Sequence, residues 1–164
     1  MTSLTDFPLT TLEGTPLPAA ALTGRVVLLV NVASLCGFTP QYRALEQLHR
    51  DYREAGLVVL GFPCNQFRRQ EPGDARAIAE FCHRHFAISF PLLEKGDVKG
   101  PGAHPLYAWV SRARPGLLGQ SIKWNFTKFL FDRRGQPVAR YAPFTAPDRL
   151  RPRIEALLRT HEVE

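Results

Sequence analysis

The apolar positions of the chain change their periodicity along its length, and these changes predict strands alternating with helices. Residues 25–33, "RVVLLVNVA", form a continuous apolar run, which is typical of a strand buried on both faces. Residues 57–62, "LVVLGF", have the same character. Four apolar side chains between the two runs recur at near-helical spacing: Tyr42, Leu45, Leu48 and Tyr52. We therefore expect a strand, a helix and a second strand, with the two strands parallel because such crossovers are right-handed.

Capping residues mark the predicted ends of two helices. Thr39 is expected to cap the first helix, which Pro40 opens and which continues to about Arg53. Asp74 is expected to cap a second helix over residues 75–86. Four residues of this second helix fall on one side: Ile78, Phe81, Cys82 and His85. That side faces the core, so Cys82 is expected to point inward.

The second half of the chain is less regular. Prolines and glycines interrupt residues 87–123, within which residues 104–113 can form a helix. Residues 127–132 and 137–142 flank a short turn containing a glycine and predict a β-hairpin. A final amphipathic helix follows, with Pro147 near its start.

This order of elements matches an α/β fold of the thioredoxin-like class. It predicts a central mixed β-sheet flanked by helices, with an insertion before the C-terminal β-hairpin. The 164 residues are 45% hydrophobic, and no repeat, linker or low-complexity segment divides them. We therefore expect a single domain spanning residues 1–164.

Composition narrows the possible partners and locations. The net charge is +6, but the arginines are scattered among acids, so a solvated basic surface is expected and nucleic-acid binding is not. No apolar run is long enough for a membrane span, and the N-terminus resembles no secretory signal, which favours a cytoplasmic location. The three cysteines form no CxxC pair and the histidines no zinc pattern, so neither a disulfide scaffold nor a metal site is expected.

Three segments combine polar or reactive side chains at the ends of predicted strands. Cys36, in "NVASLCGFTP", follows a strand and precedes a helix N-terminus, where free amides and the helix dipole favour a thiolate. The segment "GFPCNQFRRQEPG" at residues 61–73 adds neutral amide donors after the next strand. Trp124 and Asn125, in "IKWNFTKF", supply further N–H donors just before the hairpin. A reactive cysteine surrounded by neutral hydrogen-bond donors is the expectation.

Taken together and in order, these segments closely resemble the glutathione peroxidase family. The resemblance also includes "HPLY" and "KFLFDRRGQPVARYAP", and it extends from about residue 7 to residue 158. It implies a catalytic tetrad, which the matching motifs place on Cys36, Gln70, Trp124 and Asn125. The nucleophile is a cysteine where other members use selenocysteine.

The resemblance also implies a reaction. A Cys36 thiolate would reduce hydrogen peroxide and organic or lipid hydroperoxides and become a sulfenic acid. Cys82 matches the resolving cysteine of two-cysteine members, and a Cys36–Cys82 disulfide would require local unwinding of the second helix. Cys64, at the end of a buried strand, is the alternative resolving thiol. Thioredoxin, or else glutathione, would regenerate the enzyme as a co-substrate, with no bound cofactor.

The resemblance leads to two further expectations, and the sequence differs from the family at two places near the predicted site. The segment before the hairpin is short, which favours a monomer, and a peroxide sensor that relays oxidation to a partner protein remains an alternative to a scavenging enzyme. Leu35 stands where the family often has lysine, which removes a nearby cation. Arg68 and Arg69 stand where glycines are common and add positive charge beside Gln70.

Overall fold

A computed structural model describes residues 1–160, in which a four-stranded sheet carries helices on both faces. The last four residues of the predicted domain lie outside the described residues. The strands are β1 (Leu9–Thr10), β2 (Pro16–Leu17), β3 (Val26–Val32), β4 (Leu57–Pro63), β5 (Lys128–Phe131) and β6 (Pro137–Tyr141). The helices are α1 (Gln41–Tyr52), α2 (Ala75–Phe86), α3 (Pro105–Ala113) and α4 (Arg151–Arg159).

The main sheet has the order β4-β3-β5-β6, while β1 and β2 form a separate small hairpin. Strands β3 and β4 are parallel, as expected for a crossover through α1, whereas β5 pairs antiparallel with both β3 and β6. The fold class is therefore confirmed as thioredoxin-like α/β. The β3–β4 register brings Val32 opposite Pro63, so the loops that follow both strands leave the same edge of the sheet.

Each face of the sheet has its own hydrophobic core, because the side chains of β3 alternate between the two faces. Val30 and Val32 pack on the side of α1, α2 and α4, and Val27 and Leu29 pack on the side of α3. This partition separates the cysteines. Cys36 and Cys82 belong to the first core, and Cys64 belongs to the second.

Local details differ from the sequence predictions at several positions; Pro147, for example, begins a 3₁₀ turn that precedes α4. Helix α1 begins at Gln41, and Pro40 rather than Thr39 precedes it, without a side-chain cap. The expected inward position of His85 is wrong: it is exposed at the end of α2 and contacts the Phe81 ring, while Ile78 and Cys82 are buried as predicted. The β1–β2 hairpin was not predicted, since two-residue strands are too short for a periodic pattern. Asp74 caps α2 as expected, accepting a hydrogen bond from the Ala77 N–H at 2.9 Å.

No helix within residues 1–160 combines the length and the apolar character that crossing a membrane requires.

Lys128 is a fully buried cation in the sheet, which the sequence pattern did not single out. Its ammonium donates hydrogen bonds to the backbone carbonyls of Thr145 at 2.7 Å, Pro143 at 3.0 Å and Ala142 at 3.4 Å. The Gln41 amide donates to the same Pro143 carbonyl at 2.7 Å. Lys128 therefore fixes the loop after β6 against the start of α1. Burial lowers the pKa of Lys128 to about 7.

This lowered pKa predicts a pH-dependent contribution to stability. Between pH 7 and the ordinary lysine pKa of 10.5, the unfolded chain binds a proton at Lys128 that the folded chain does not, so stability rises with pH in this window. In Lys128→Met this contribution is absent. The difference in unfolding free energy between wild type and variant should grow by at most about 1.4 kcal/mol per pH unit above pH 7. Denaturant unfolding at several pH values measures it, and a pH-independent difference would contradict the assignment.

Candidate active site

Cys36 lies in the loop between β3 and α1, at the edge of the sheet where the parallel strands end. Its side chain is buried, while its chain neighbours Leu35 and Gly37 are exposed. The Phe38 backbone N–H donates a hydrogen bond to the Cys36 sulfur at 3.3 Å. A donor in this position can interact with negative charge that develops on the sulfur during a reaction.

Thr39 anchors this loop instead of capping the helix. Its hydroxyl donates to the Ala33 carbonyl at 2.7 Å and accepts a hydrogen bond from the Cys36 N–H at 2.9 Å. The Thr39 side chain is buried, so both backbone groups depend on it for a partner. Thr39 stands three residues after Cys36, at the spacing of a CxxC pair, and its side chain holds the Cys36 loop in place.

We expect Thr39→Val to disturb the Cys36 loop, because valine keeps the shape of threonine but leaves the Cys36 N–H and the Ala33 carbonyl unpaired. The unfolding free energy should fall by about 1–3 kcal/mol. The second-order rate of Cys36 oxidation by hydrogen peroxide should fall about ten- to a hundredfold, since the sulfur is no longer held against the Phe38 N–H. Stopped-flow fluorescence measures the rate. Thr39→Ser, which keeps the hydroxyl, is the matched control, and equal loss in both variants would contradict this role.

Gln70 and Asn125 come from distant parts of the chain and are in direct contact. The Asn125 side-chain amide donates to the Gln70 side-chain oxygen at 2.9 Å. The Gln70 backbone carbonyl accepts the Leu35 N–H at 3.0 Å, which ties the pair to the Cys36 loop. Asn125 is fully buried, and its side-chain oxygen has no hydrogen-bond partner among residues 1–160. Because Gln70 is held through its oxygen, both N–H donors of its amide remain available to a ligand.

Trp124 is half-buried beside this pair. Its ring packs against Phe67 with 5.7 Å between the ring centroids, and it contacts the core that contains Cys36. Its backbone carbonyl accepts hydrogen bonds from the Asn31 amide at 3.1 Å and the Thr127 hydroxyl at 3.0 Å, which fixes the start of the hairpin against β3.

The structure thus brings the four predicted tetrad residues to one edge of the sheet through different contacts. Gln70 and Asn125 are hydrogen-bonded, and Trp124 packs against both cores, one of which contains Cys36. Within residues 1–160, no hydrogen bond joins the Cys36 sulfur to the side chains of Gln70, Trp124 or Asn125; its donor is the Phe38 N–H. Catalytic hydrogen bonds commonly close only when substrate is bound.

Cys82 lies in α2, buried in the same core as Cys36, and all three cysteines are reduced. Burial raises the pKa of the Cys82 thiol to about 11. The nearby Tyr42 hydroxyl acts to lower this pKa, and the Glu71 carboxylate acts to raise it. The Tyr42 hydroxyl nevertheless has no hydrogen bond of ordinary geometry within the described chain. In the intact helix Cys82 is therefore a neutral, weak nucleophile at pH 7.

Helix α2 packs on the core through fully buried and partly buried side chains. Ile78 and Cys82 are its only fully buried residues, and it ends at Ala87 in a left-handed conformation with φ 49°. Three partly buried residues also pack against this core: Ala79, Phe81 and Phe86. Opening would release Cys82 from the core and lower the pKa of its thiol.

Glu71 is a buried acid near the site that the sequence analysis missed. One carboxylate oxygen accepts the Ser34 N–H at 3.2 Å, and the other has no partner among residues 1–160. Burial raises the pKa of Glu71. Its position after Gln70 in a polar loop was visible in the sequence, but only the packing of that loop against Ser34 shows that it is buried.

Fold and site together define a thiol-based redox protein, with one cysteine at the edge of a thioredoxin-like sheet and a second buried in a helix of the same core. Comparison with known proteins identifies the family within this class. Residues 4–111 match the model of the glutathione peroxidase family, and the chain belongs to that family. The chain is a peroxidase.

Curated and solved relatives agree with this placement. A glutathione peroxidase-like peroxiredoxin of Chlamydomonas reinhardtii is 53% identical over 149 residues, covering 91% of this chain and 92% of the relative. A hydroperoxy fatty acid reductase of Synechocystis sp. is 48% identical over 158 residues, covering 93% and 94%. The crystal structure of a T. cruzi glutathione peroxidase superposes with a TM-score of 0.80 at 36% identity, covering 96% of this chain and 97% of that one.

Proposed function

We propose that this peroxidase works through Cys36 as the peroxidatic thiol and Cys82 as the resolving thiol. The supporting observation is the arrangement at the edge of the sheet, where the Phe38 N–H contacts the Cys36 sulfur and the Gln70–Asn125 pair is tied to the same loop. These donors are neutral, so they can stabilise a thiolate and a leaving oxygen without adding a general base.

In the first step the Cys36 thiolate attacks the terminal oxygen of a hydroperoxide. The O–O bond breaks, the Cys36 sulfur is oxidised to a sulfenic acid, and water or an alcohol leaves after taking up a proton. The Gln70 amide and the Trp124 indole N–H orient the peroxide, and Asn125 holds Gln70 in place. The name of the Synechocystis relative supports fatty acid hydroperoxides as substrates alongside hydrogen peroxide.

In the second step the Cys82 sulfur attacks the Cys36 sulfenic acid. An S–S bond forms, and the hydroxyl group of the sulfenic acid leaves as water with the proton of the Cys82 thiol. The assignment to Cys82 is supported by its position in the same core as Cys36, whereas Cys64 lies on the other face of the sheet. The attack requires α2 to open, because Cys82 is buried in an intact helix.

Thioredoxin is the reductant that we propose for the disulfide, since a dithiol completes the exchange intramolecularly. The peroxiredoxin name of the Chlamydomonas relative supports this choice over glutathione. The monomeric state, the cytoplasmic location and the lack of a cofactor stay predictions.

One assay tests the proposed function. NADPH consumption is followed with hydrogen peroxide and with an organic hydroperoxide, using thioredoxin and its reductase or glutathione and its reductase. We expect turnover of both peroxides with thioredoxin and much slower turnover with glutathione. No turnover with either system would refute the proposal. Slow thioredoxin turnover together with a trapped mixed disulfide to another protein would instead favour the peroxide sensor.

A further inference from the structure

A tight turn beside Gln70 contains two adjacent arginines in an unfavourable backbone conformation. The turn runs from Phe67 to Gln70 and is closed by the Gln70 N–H and the Phe67 carbonyl at 3.3 Å. Its central residues, Arg68 and Arg69, have φ angles of 53° and 52°. Turns with two central positive φ angles normally use glycine, asparagine or aspartate, because a left-handed conformation costs other residues about 1–2 kcal/mol each.

The two arginines and a lysine form a group of cations without acidic partners. Arg68 and Arg69 are exposed. The Lys99 ammonium lies 4.9 Å from the centroid of the Phe67 ring, at the start of the same turn. Within residues 1–160 none of the three has a carboxylate within 4.0 Å. Three unneutralised positive charges thus surround one turn, although their mutual repulsion is unfavourable.

This cationic turn adjoins the reacting groups. Gln70 is its last residue, and the Gln70 carbonyl is bonded to the Leu35 N–H, next to Cys36. The buried Phe67 ring packs on the half-buried Trp124 ring at 5.7 Å, so the exposed part of the Trp124 ring lies beside the cationic turn. A ligand that contacts both regions needs an anionic end and an apolar body.

We propose that Arg68, Arg69 and Lys99 bind the carboxylate of an organic hydroperoxide while its hydrocarbon part contacts the exposed part of the Trp124 ring. Guanidinium groups suit this task because they bind a carboxylate with two parallel hydrogen bonds. Residues with strained backbone conformations cluster at active sites and at ligand-binding positions. The inference rests on the proposed function and extends it, since it makes this turn a determinant of substrate choice.

The test compares a fatty acid hydroperoxide with its methyl ester, which differs only in the charge. The double variant Arg68→Asn, Arg69→Asn removes both charges and keeps residues that tolerate a left-handed backbone. We expect its kcat/KM for the free acid to fall about 3- to 20-fold, as for two partly exposed ion pairs, with the ester and hydrogen peroxide unchanged. The preference for the acid should also weaken in wild type at high salt.

Two control variants separate charge from loop structure. Arg68→Lys with Arg69→Lys keeps the charges and should retain most of the preference for the acid. Arg25→Asn with Arg134→Asn removes two exposed arginines at the opposite end of the sheet and should change nothing. Equal losses for acid and ester would overturn the inference. If the Asn double variant changed only the KM for thioredoxin, raising it, the inference would also be overturned. The arginines would then serve to bind an acidic protein partner.

A binding measurement keeps this inference separate from the proposed function. The affinity of the hydroxy fatty acid product and of its methyl ester can be measured by calorimetry on the reduced protein, without turnover. Tighter binding of the acid, lost in the Asn double variant, supports the inference even if peroxidase assays fail. Equal affinity for acid and ester contradicts it even if peroxide turnover is normal.

Discussion

Cys36→Ser is expected to abolish peroxide reduction with every hydroperoxide and every reductant. Cys36 follows β3 at the sheet edge, between the exposed residues Leu35 and Gly37, and the Phe38 backbone N–H donates to its sulfur. A serine hydroxyl is not ionised near neutral pH and cannot replace the thiolate as a nucleophile. The expected loss in kcat/KM is of order 10³-fold or more, as for the removal of other catalytic nucleophiles.

The measurement is single-turnover peroxide consumption combined with the mass of the treated protein. Wild type should consume peroxide and lose two hydrogens as the disulfide forms, whereas Cys36→Ser should do neither. Cys64→Ser is the matched control, because Cys64 is equally buried but faces the other core. Substantial peroxidase activity in Cys36→Ser would contradict the assignment of the nucleophile.

Cys82→Ser is expected to separate the two halves of the reaction. The first reduction of peroxide should proceed at the wild-type rate, because Cys82 makes no hydrogen bond to the Cys36 loop within residues 1–160. Thioredoxin-linked turnover should be essentially lost, since the Cys36 sulfenic acid has no thiol partner and accumulates, or is oxidised further by excess peroxide. Stopped-flow fluorescence reports the first step, and NADPH consumption reports the second.

The same pair of measurements on Cys64→Ser decides which cysteine resolves. Burial raises the pKa of Cys64 as well as that of Cys82, so acidity alone does not distinguish them. Their positions do, because Cys82 packs in the same core as Cys36, whereas Cys64 packs in the core on the other face of the sheet. Loss of thioredoxin turnover in Cys64→Ser, with normal turnover in Cys82→Ser, would assign the resolving role to Cys64.

A covalent tether across α2 would test whether the helix must open. If a cross-link between the two ends of α2 blocked disulfide formation but not peroxide reduction, opening would be required for the second step. The physical reason is that Cys82 is buried in the intact helix, where burial raises the pKa of its thiol to about 11 and makes it a weak nucleophile.

Much of the fold could be predicted because it depends on the local spacing of apolar and capping residues. The runs that form β3 and β4, the amphipathic pattern of α2 and the cap at Asp74 depend on neighbours within a few residues. The position of Cys36 between a strand and a helix is equally local. These predictions are confirmed. The start of α1 was displaced by one residue because the Thr39 hydroxyl bonds to the Cys36 loop, a competition that helix-capping preferences do not include.

The sequence by itself thus determined the order of elements and, through its motifs, the residues proposed for catalysis. Tertiary structure alone decided which face of the sheet each cysteine occupies, that Lys128 is buried beneath the loop after β6, and that Glu71 lies against Ser34. It also decided that Arg68 and Arg69 adopt a strained turn. The physical reason is that helix and strand formation depends on contacts close in the chain, whereas burial and charge pairing depend on segments that meet only when the sheet is assembled.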